Sequence, residues 1–164
     1  MSIAIIGAGA SGLTAAISAV RNGADPSSIT IYEASDRPGR KILATGNGRC
    51  NLTNLAPDPG SLYMSSGGRS AREFADSVFD IFDVDDTIAF FEKAGLFLTE
   101  KELRVYPGSG QARSVLNVLL REMERLRVRL KLNTKVSSIR FDSEDGKWKA
   151  DTGSWEYEAD SVII

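Results

Sequence analysis

The most constraining feature of the sequence is the run S-I-A-I-I-G-A-G-A-S-G at residues 2–12. Its apolar residues 3–6 predict a strand buried on both faces, as in a parallel sheet. Gly7, Gly9 and Gly12 follow in the G-x-G-x-x-G spacing, which is typical of a sharp turn from a strand into a helix whose N-terminus faces a pyrophosphate. The residues predicted to hold the phosphates are Gly7, Ala8, Gly9, Ala10, Ser11 and Gly12.

The spacing alone also occurs in turns that bind nothing, so its context decides the interpretation. Apolar residues recur at helical spacing after Gly12, and a second apolar strand is predicted at residues 29–32. Glu33 stands at the end of that strand, twenty-one positions after Gly12. A carboxylate in this place binds ribose hydroxyls in dinucleotide-binding folds; the alternative is a solvated carboxylate at a strand end.

Composition narrows the classes of partner and chemistry. The chain has 164 residues, a net charge of −2 and one cysteine. The charge gives no support for nucleic acid or membrane as a partner, and the arginine-rich residues 121–131 are expected on solvated faces. A single cysteine rules out an internal disulfide and fits a cytoplasmic setting. Histidine is absent, which excludes histidine-based nucleophile pairs and histidine-ligated metals.

A second glycine-rich run, G-N-G-R-C-N-L-T-N, occupies residues 46–54. Before it, Pro38-Gly39 predicts a turn, and Arg40 and Lys41 can place positive charge near a phosphate. The small residues of the run would let the backbone approach a ligand, although composition alone favours a surface loop with Asx turns. The side chains that could donate to such a ligand are Asn47, Arg49, Asn51 and Thr53.

These motifs together resemble those of the bacterial YhiN/BaiN-like FAD-binding flavoproteins, often labelled the aminoacetone oxidase family. The shared motifs are G-A-G-A-S-G at residues 7–12, G-R-K at 39–41 and G-N-G-R-C-N-L-T-N at 46–54. The resemblance continues through R-V-Y-P at 104–107 and the following helix. Asn47 stands where the family has glycine, and asparagine also tolerates left-handed backbone angles.

The resemblance implies that residues 46–51 lie along the ribityl chain and flavin edge, and that the backbone of Val136 meets the adenine ring. No catalytic residue and no metal site stand out. Cys50 is interpreted as a packing or flavin-contact residue, because the C-x-x-x-x-C pair of disulfide reductases is missing. The implied FAD-binding residues beyond the first run are Glu33, Ala34, Gly39, Arg40, Lys41, Gly46, Asn47, Gly48, Arg49, Cys50, Asn51 and Val136.

The predicted fold is α/β, a glutathione-reductase-like FAD/NAD(P)-binding Rossmann-type parallel sheet with an antiparallel β-meander. It comprises a Rossmann core at residues 1–54, a helical excursion at 55–110, and a helix, strand and meander at 111–164. Ser70 with Glu73, and Asp83 with Asp86, predict helix starts; capping explains the acids near Asp83 better than a metal site does. Trp148 and Trp155 are expected to pack on the meander.

The implied function is that of an FAD-dependent oxidoreductase passing hydride from NAD(P)H to a small organic substrate. The reaction is either reduction of a conjugated carbon–carbon double bond or amine oxidation, and the residues do not choose between them. A non-catalytic nucleotide-binding module and an NAD-dependent dehydrogenase stay open as alternatives. Because the sequence stops at Ile164 within a predicted buried strand, we expect an N-terminal fragment, inactive alone, that lacks a substrate domain and a flavin-closing segment.

Overall fold

The structure is a computed structural model that describes residues 1–63 and 71–164. The helices are α1 (Ala10–Arg21), α2 (Arg40–Ala44), α3 (Ala71–Phe79), α4 (Val84–Lys93) and α5 (Ala112–Arg125). The strands are β1 (Ile3–Ile6), β2 (Ile29–Tyr32), β3 (Thr53–Asn54), β4 (Leu98–Lys101), β5 (Arg104–Pro107), β6 (Arg129–Lys131), β7 (Ser138–Asp142), β8 (Lys147–Asp151), β9 (Glu156–Ala159) and β10 (Ser161–Ile163). The predicted cap at Ser70 lies outside the described residues.

A four-stranded parallel sheet in the order β10-β1-β2-β6 carries the first glycine-rich run. Ile3 of β1 lies opposite Ile29 of β2, and the pairing continues to Ile6 opposite Tyr32. The chain returns to this sheet at β10, which pairs with the free side of β1. Because parallel strands point the same way, the segments that follow β1 and β2 meet at the carboxyl edge, where α/β sheets bind ligands.

The core of this sheet is formed where α1 packs on the two central strands. All four residues of β2 are buried, as expected for a strand covered on both faces. Ile5, Leu13, Ile17, Ile29 and Ile31 have no exposed surface, and burying each such side chain contributes about 2 kcal/mol to folding. The strands that position the glycine-rich run therefore lie in a closely packed core.

The chain divides into two compact units, residues 1–42 with 119–164, and residues 43–118. The first unit contains the parallel sheet and the antiparallel meander β7-β8-β9. The second contains α3, α4 and the antiparallel sheet β3-β5-β4. Among the described residues, no helix combines the length and the apolar character needed to cross a bilayer.

Two local predictions had different outcomes. The capping of α4 is confirmed, because the Asp83 carboxylate accepts the N–H of Asp86 and the Asp86 carboxylate accepts that of Asp83.

The prediction that Trp155 packs on the meander is wrong, because its side chain is 70% exposed. Trp155 lies in the turn before β9, where its backbone N–H donates to the hydroxyl of Thr152. Trp148 does pack on Phe141, with ring centroids 5.3 Å apart.

Candidate nucleotide-binding site

The first glycine loop (residues 7–12) turns from β1 into α1 in a way that only glycine permits at two positions. Gly7 has φ +99°, a left-handed value that strains other residues. A Cβ atom on Gly12 would lie 2.0 Å from the carbonyl oxygen of Gly7 and 3.3 Å from a methyl carbon of Ile5. The third glycine therefore allows α1 to approach the strand, as the fingerprint predicts.

Gly9 serves a different purpose, because its surroundings are open. A Cβ atom placed there would meet no atom of the protein within 4 Å. Gly9 is also the N-cap of α1, and no side chain of the described residues caps this end. The first turn contains no acidic residue, so the partial positive charge of the helix N-terminus is uncompensated. This combination of free N–H groups and open space, with no acidic residue in the helix itself, suits a phosphate.

Glu33 lies beside this loop at the end of β2, where it binds the residue before the N-cap, and its two carboxylate oxygens have different partners. Oε2 accepts the N–H of Ala8 at 2.8 Å. Oε1 accepts the N–H and the hydroxyl of Ser35, at 2.8 and 2.6 Å. A carboxylate oxygen can accept two hydrogen bonds. From the described residues Oε2 accepts one, so it can accept a second from a ligand.

The charge state of Glu33 follows from these contacts. Burial raises the pKa of Glu33, but the hydrogen bonds from Ser35 and Ala8 and the positive charge of Arg40 outweigh it. The pKa therefore lies below its ordinary value of 4.5. At neutral pH the site presents an ionised acceptor, which is what a ribose hydroxyl requires.

The turn at Gly39 is also tied to the first glycine loop. Its N–H donates to the carbonyl of Ala8 at 2.8 Å, so both backbone polar groups of Ala8 are held by neighbouring segments. Gly39 has φ +70° and is followed directly by α2. Arg40, the first residue of that helix, is exposed and close enough for its charge to act on Glu33. Ala34 and Lys41 are exposed nearby in the sequence.

Val136 lies two residues before the meander, whose first strand β7 begins at Ser138. Its side chain packs on the buried cluster of Ala4, Tyr32 and Ala159. No hydrogen bond to the Val136 backbone is found within residues 1–63 and 71–164. Two residues earlier, the N–H of Thr134 donates to the carbonyl of Glu33 at 2.8 Å, which places the Val136 segment beside the end of β2.

The second glycine loop (residues 46–51) belongs to the other unit and has an unusual backbone. Four of its residues are left-handed, with φ of 55° at Gly46, 54° at Asn47, 81° at Gly48 and 58° at Cys50. Left-handed asparagine at position 47 agrees with the sequence interpretation. Such strained non-glycine residues cluster at functional sites. Cys50 is buried, as expected for a packing residue.

The same loop is anchored by its own hydrogen bonds. The N–H of Cys50 donates to the carbonyl of Thr45 at 3.1 Å, and the N–H of Leu52 donates to Val105 of β5 at 2.8 Å. The Arg49 guanidinium lies 5.5 Å from the ring centroid of Tyr106. Asn47 and Asn51 are exposed.

The first unit thus assembles the residues predicted for the phosphates and the ribose, together with Val136. The residues predicted for the flavin edge form a separate loop of the second unit. Sequence reasoning missed Ser35, which contacts Glu33 directly. The available signal was its position two residues after Glu33, which is within reach of a local side-chain hydrogen bond. Within the described part of the chain, no group of three acidic or cysteine side chains could hold a metal.

Residues 1–164 match the family model described as HI0933-like protein Rossmann domain. The 3-dehydro-bile acid delta(4,6)-reductase of Clostridium scindens is 40% identical over 162 residues, which are 99% of this chain and 38% of that protein. The ribosomal RNA dihydrouridine synthase of Escherichia coli is 33% identical over 138 residues, 84% of this chain and 32% of that protein. The chain therefore spans well under half the length of these curated relatives.

Solved structures with the same fold share little sequence with this chain. The 3-ketosteroid-delta4-(5alpha)-dehydrogenase of Rhodococcus jostii superposes with a TM-score of 0.68 at 15% identity, covering 99% of this chain and 44% of that one. The THI4 protein of Thermovibrio ammonificans gives 0.60 at 13% identity, covering 98% and 54%. These similarities confirm the predicted Rossmann-type fold.

Proposed function

The chain belongs to the HI0933-like Rossmann-domain family, and from this we propose that it is the FAD-binding part of a flavin-dependent oxidoreductase. The family agrees with the resemblance drawn from the two glycine-rich runs. The observation that carries the proposal is the open space at Gly9 in front of the uncapped α1, with the ionised Glu33 on the neighbouring strand.

Each part of this site has a role toward the ADP half of FAD. The free N–H groups of α1 hold the pyrophosphate, and Ser11 adds a hydroxyl. The remaining capacity of Glu33 Oε2 takes a ribose hydroxyl, and Arg40 adds positive charge near the phosphates. The backbone of Val136, without a partner in the described chain, contacts the adenine edge. FAD, when bound, supplies hydride transfer chemistry.

We infer that the whole protein reduces a carbon–carbon double bond conjugated with a carbonyl group, with NAD(P)H as the hydride source. Support comes from what two relatives are named for. One is a delta(4,6)-reductase of a 3-dehydro bile acid, and the other makes dihydrouridine, which is uridine with its ring double bond saturated. Both names describe the same type of bond change on very different molecules.

The substrate we favour is a small, largely apolar enone. The bile acid reductase has the higher identity and matches nearly all of this chain. A uridine in ribosomal RNA is the second candidate, favoured by the E. coli relative and opposed by the net charge of −2. The prediction that nucleic acid is not a partner therefore stays a prediction.

The cofactor is tested by titrating the chain with FAD, ADP and NAD⁺ while following tryptophan fluorescence. We expect all three to bind, because each contains the ADP half that the first unit contacts, and we expect the nucleotide released on denaturing the complete protein to be FAD by mass. Binding of NAD⁺ alone would support the dehydrogenase alternative, and binding of none of the three would refute the proposal.

The reaction is tested in the complete protein by NADPH oxidation under anaerobic conditions. A 3-keto-4,6-diene steroid and an unmodified ribosomal RNA fragment are supplied separately, and the products are identified by mass. A gain of two hydrogens on the steroid supports the enone proposal, whereas dihydrouridine in the RNA supports the second candidate. NADPH oxidation with neither substrate reduced contradicts both.

A further inference from the structure

The orientation of the Glu33 carboxylate is set by Ser35. Two hydrogen bonds from Ser35, one from its N–H and one from its hydroxyl, converge on the single oxygen Oε1. The hydroxyl also lies 2.8 Å from the carbonyl of Arg37. Its one proton goes to the carboxylate, which is nearer at 2.6 Å and is charged. With Oε1 held in this way, Oε2 is directed to Ala8 and the first glycine loop.

The same residue spacing occurs at the other end of β2 with a different result. Ser27 also follows an acid by two positions, and its N–H and hydroxyl bind Asp25 at 2.9 and 2.6 Å. There the two bonds go to different oxygens of Asp25, so Ser27 occupies both oxygens of that carboxylate. At Glu33 both bonds go to one oxygen, and the other is left to face the loop.

Ser35 is itself held by the segment that leads to the meander. Its carbonyl accepts the N–H of Asn133 at 3.0 Å, and the carbonyl of Glu33 accepts the N–H of Thr134 at 2.8 Å. The serine therefore has a fixed backbone from which its hydroxyl can orient the carboxylate.

We propose that Ser35 is a positioning residue for ribose recognition, acting by fixing Oε1 of Glu33 so that Oε2 faces the ribose hydroxyls. The proposal rests on the proposed function, since it requires a nucleotide at this edge of the sheet. Removing the hydroxyl leaves Glu33 in place and ionised, held by the N–H groups of Ser35 and Ala8 but without the shortest of its three hydrogen bonds. The carboxylate is then oriented less tightly, so its contact with the ribose weakens while the phosphate contacts are retained.

The test compares two probes, ADP and 2′,3′-dideoxy-ADP, in the unchanged chain and in three variants. Ser35→Ala is expected to weaken ADP binding about tenfold, the loss of one charge-assisted hydrogen bond, and to leave dideoxy-ADP binding within about twofold. Ser35→Thr restores the hydroxyl and should bind both probes like the unchanged chain. Ser27→Ala is the matched control and should change neither affinity, because Asp25 lies at the opposite end of β2.

Three results would overturn the proposal, and they are distinguishable. If Ser35→Ala weakens both probes equally, the serine has only a structural role. If the unchanged chain binds ADP and dideoxy-ADP equally well, Glu33 does not contact the ribose, although nucleotide binding itself survives. If the unchanged chain binds neither probe nor FAD, the proposed function fails and the inference fails with it.

Discussion

The two glycine loops use glycine mainly for different physical reasons, although Gly7 of the first also has a left-handed φ of +99°. In the first, Gly12 and Gly9 provide room. Gly12 allows the close approach of a helix, since a Cβ atom there would lie only 2.0 Å from the carbonyl oxygen of Gly7, and Gly9 leaves open space beside the helix N-terminus. In the second loop a Cβ atom on Gly48 would meet nothing closer than 3.9 Å. There the backbone dihedral angles matter, because four of the six residues are left-handed.

This difference shows that a glycine-rich run can be required either for space or for backbone dihedral angles. In the first loop the fold fixes the positions, and side chains such as Glu33 hold the backbone from outside. In the second loop the chain adopts strained angles even at Asn47 and Cys50, and its own backbone hydrogen bonds hold it. The first loop should therefore be sensitive to added volume, and the second to changes in backbone preference.

The largest effect is expected for Gly12→Ala. Its methyl group would overlap the carbonyl of Gly7, so α1 must move away from β1. Overpacking of this kind reduces the free energy of unfolding by about 3 kcal/mol, which urea denaturation followed by circular dichroism will measure. A loss below about 1 kcal/mol would mean that the helix can shift freely, and that the first loop is less constrained than its geometry indicates.

Gly9→Ala should separate binding from folding. Its backbone angles, φ −83° and ψ −167°, suit any residue and its surroundings are open, so the loss of stability should stay below about 1 kcal/mol. ADP binding should weaken by about 2 kcal/mol, the cost of forcing a methyl group against a bound phosphate. Calorimetric titration measures the affinity, and unchanged ADP binding would place the phosphate elsewhere.

Glu33→Gln should weaken ADP binding by about 1.5 kcal/mol, or roughly tenfold, because a charged acceptor is replaced by a neutral amide. The variant also tests a pH dependence. The pKa of Glu33 is below 4.5 in the folded chain, so its carboxylate stabilises the fold fully above that pH. This contribution is lost as the pH falls through the lowered pKa.

The measurement is the urea midpoint between pH 3 and pH 7 for the unchanged chain and the variant. The difference between them should be constant near neutral pH and should shrink in acid. A difference that stays constant throughout would mean that the ionised form of Glu33 has no special role.

The smallest effect is expected in the second loop. Asn47→Ala should reduce the free energy of unfolding by about 1 kcal/mol, because alanine is less tolerant of left-handed angles than asparagine. Asn47→Gly is the matched control and should be close to neutral, since glycine adopts these angles readily. Equal losses in both variants would indicate that the asparagine side chain, and not its backbone, is what the loop needs.

Much of the first unit was predictable because its sequence signals are local. The limits of β2 follow from a run of β-branched and aromatic residues, I-T-I-Y. In the second unit, the capping box of α4 likewise follows from the spacing of Asp83 and Asp86. The roles of Gly7 and Gly12 follow from the fingerprint itself. Each of these depends on neighbours within a few residues, which the linear sequence shows directly.

Other features depend on residues that are distant in sequence. The hydrogen bond between Ala8 and Glu33 joins residues 25 positions apart, and neither residue type indicates this contact in the sequence. Ser35 is only two positions from Glu33, but its role follows from the distant Ala8, which binds the other oxygen of the Glu33 carboxylate. Trp155 was expected to pack on the meander because it is large and apolar, but its side chain is 70% exposed.

The parallel sheet can be completed only after its last strand in sequence, β10, has been made. β1 pairs with β2 through a local crossover, but on its other side it pairs with β10, and the hydrogen bonds between Ser2 and Asp160 join residues 158 positions apart. During synthesis, one edge of β1 must therefore wait unpaired until nearly all of this sequence has been made. Such long-range pairing is slow, and an exposed strand edge promotes association between chains. The nascent polypeptide is most vulnerable to aggregation in the interval between completing the β1–β2 pair and adding β10.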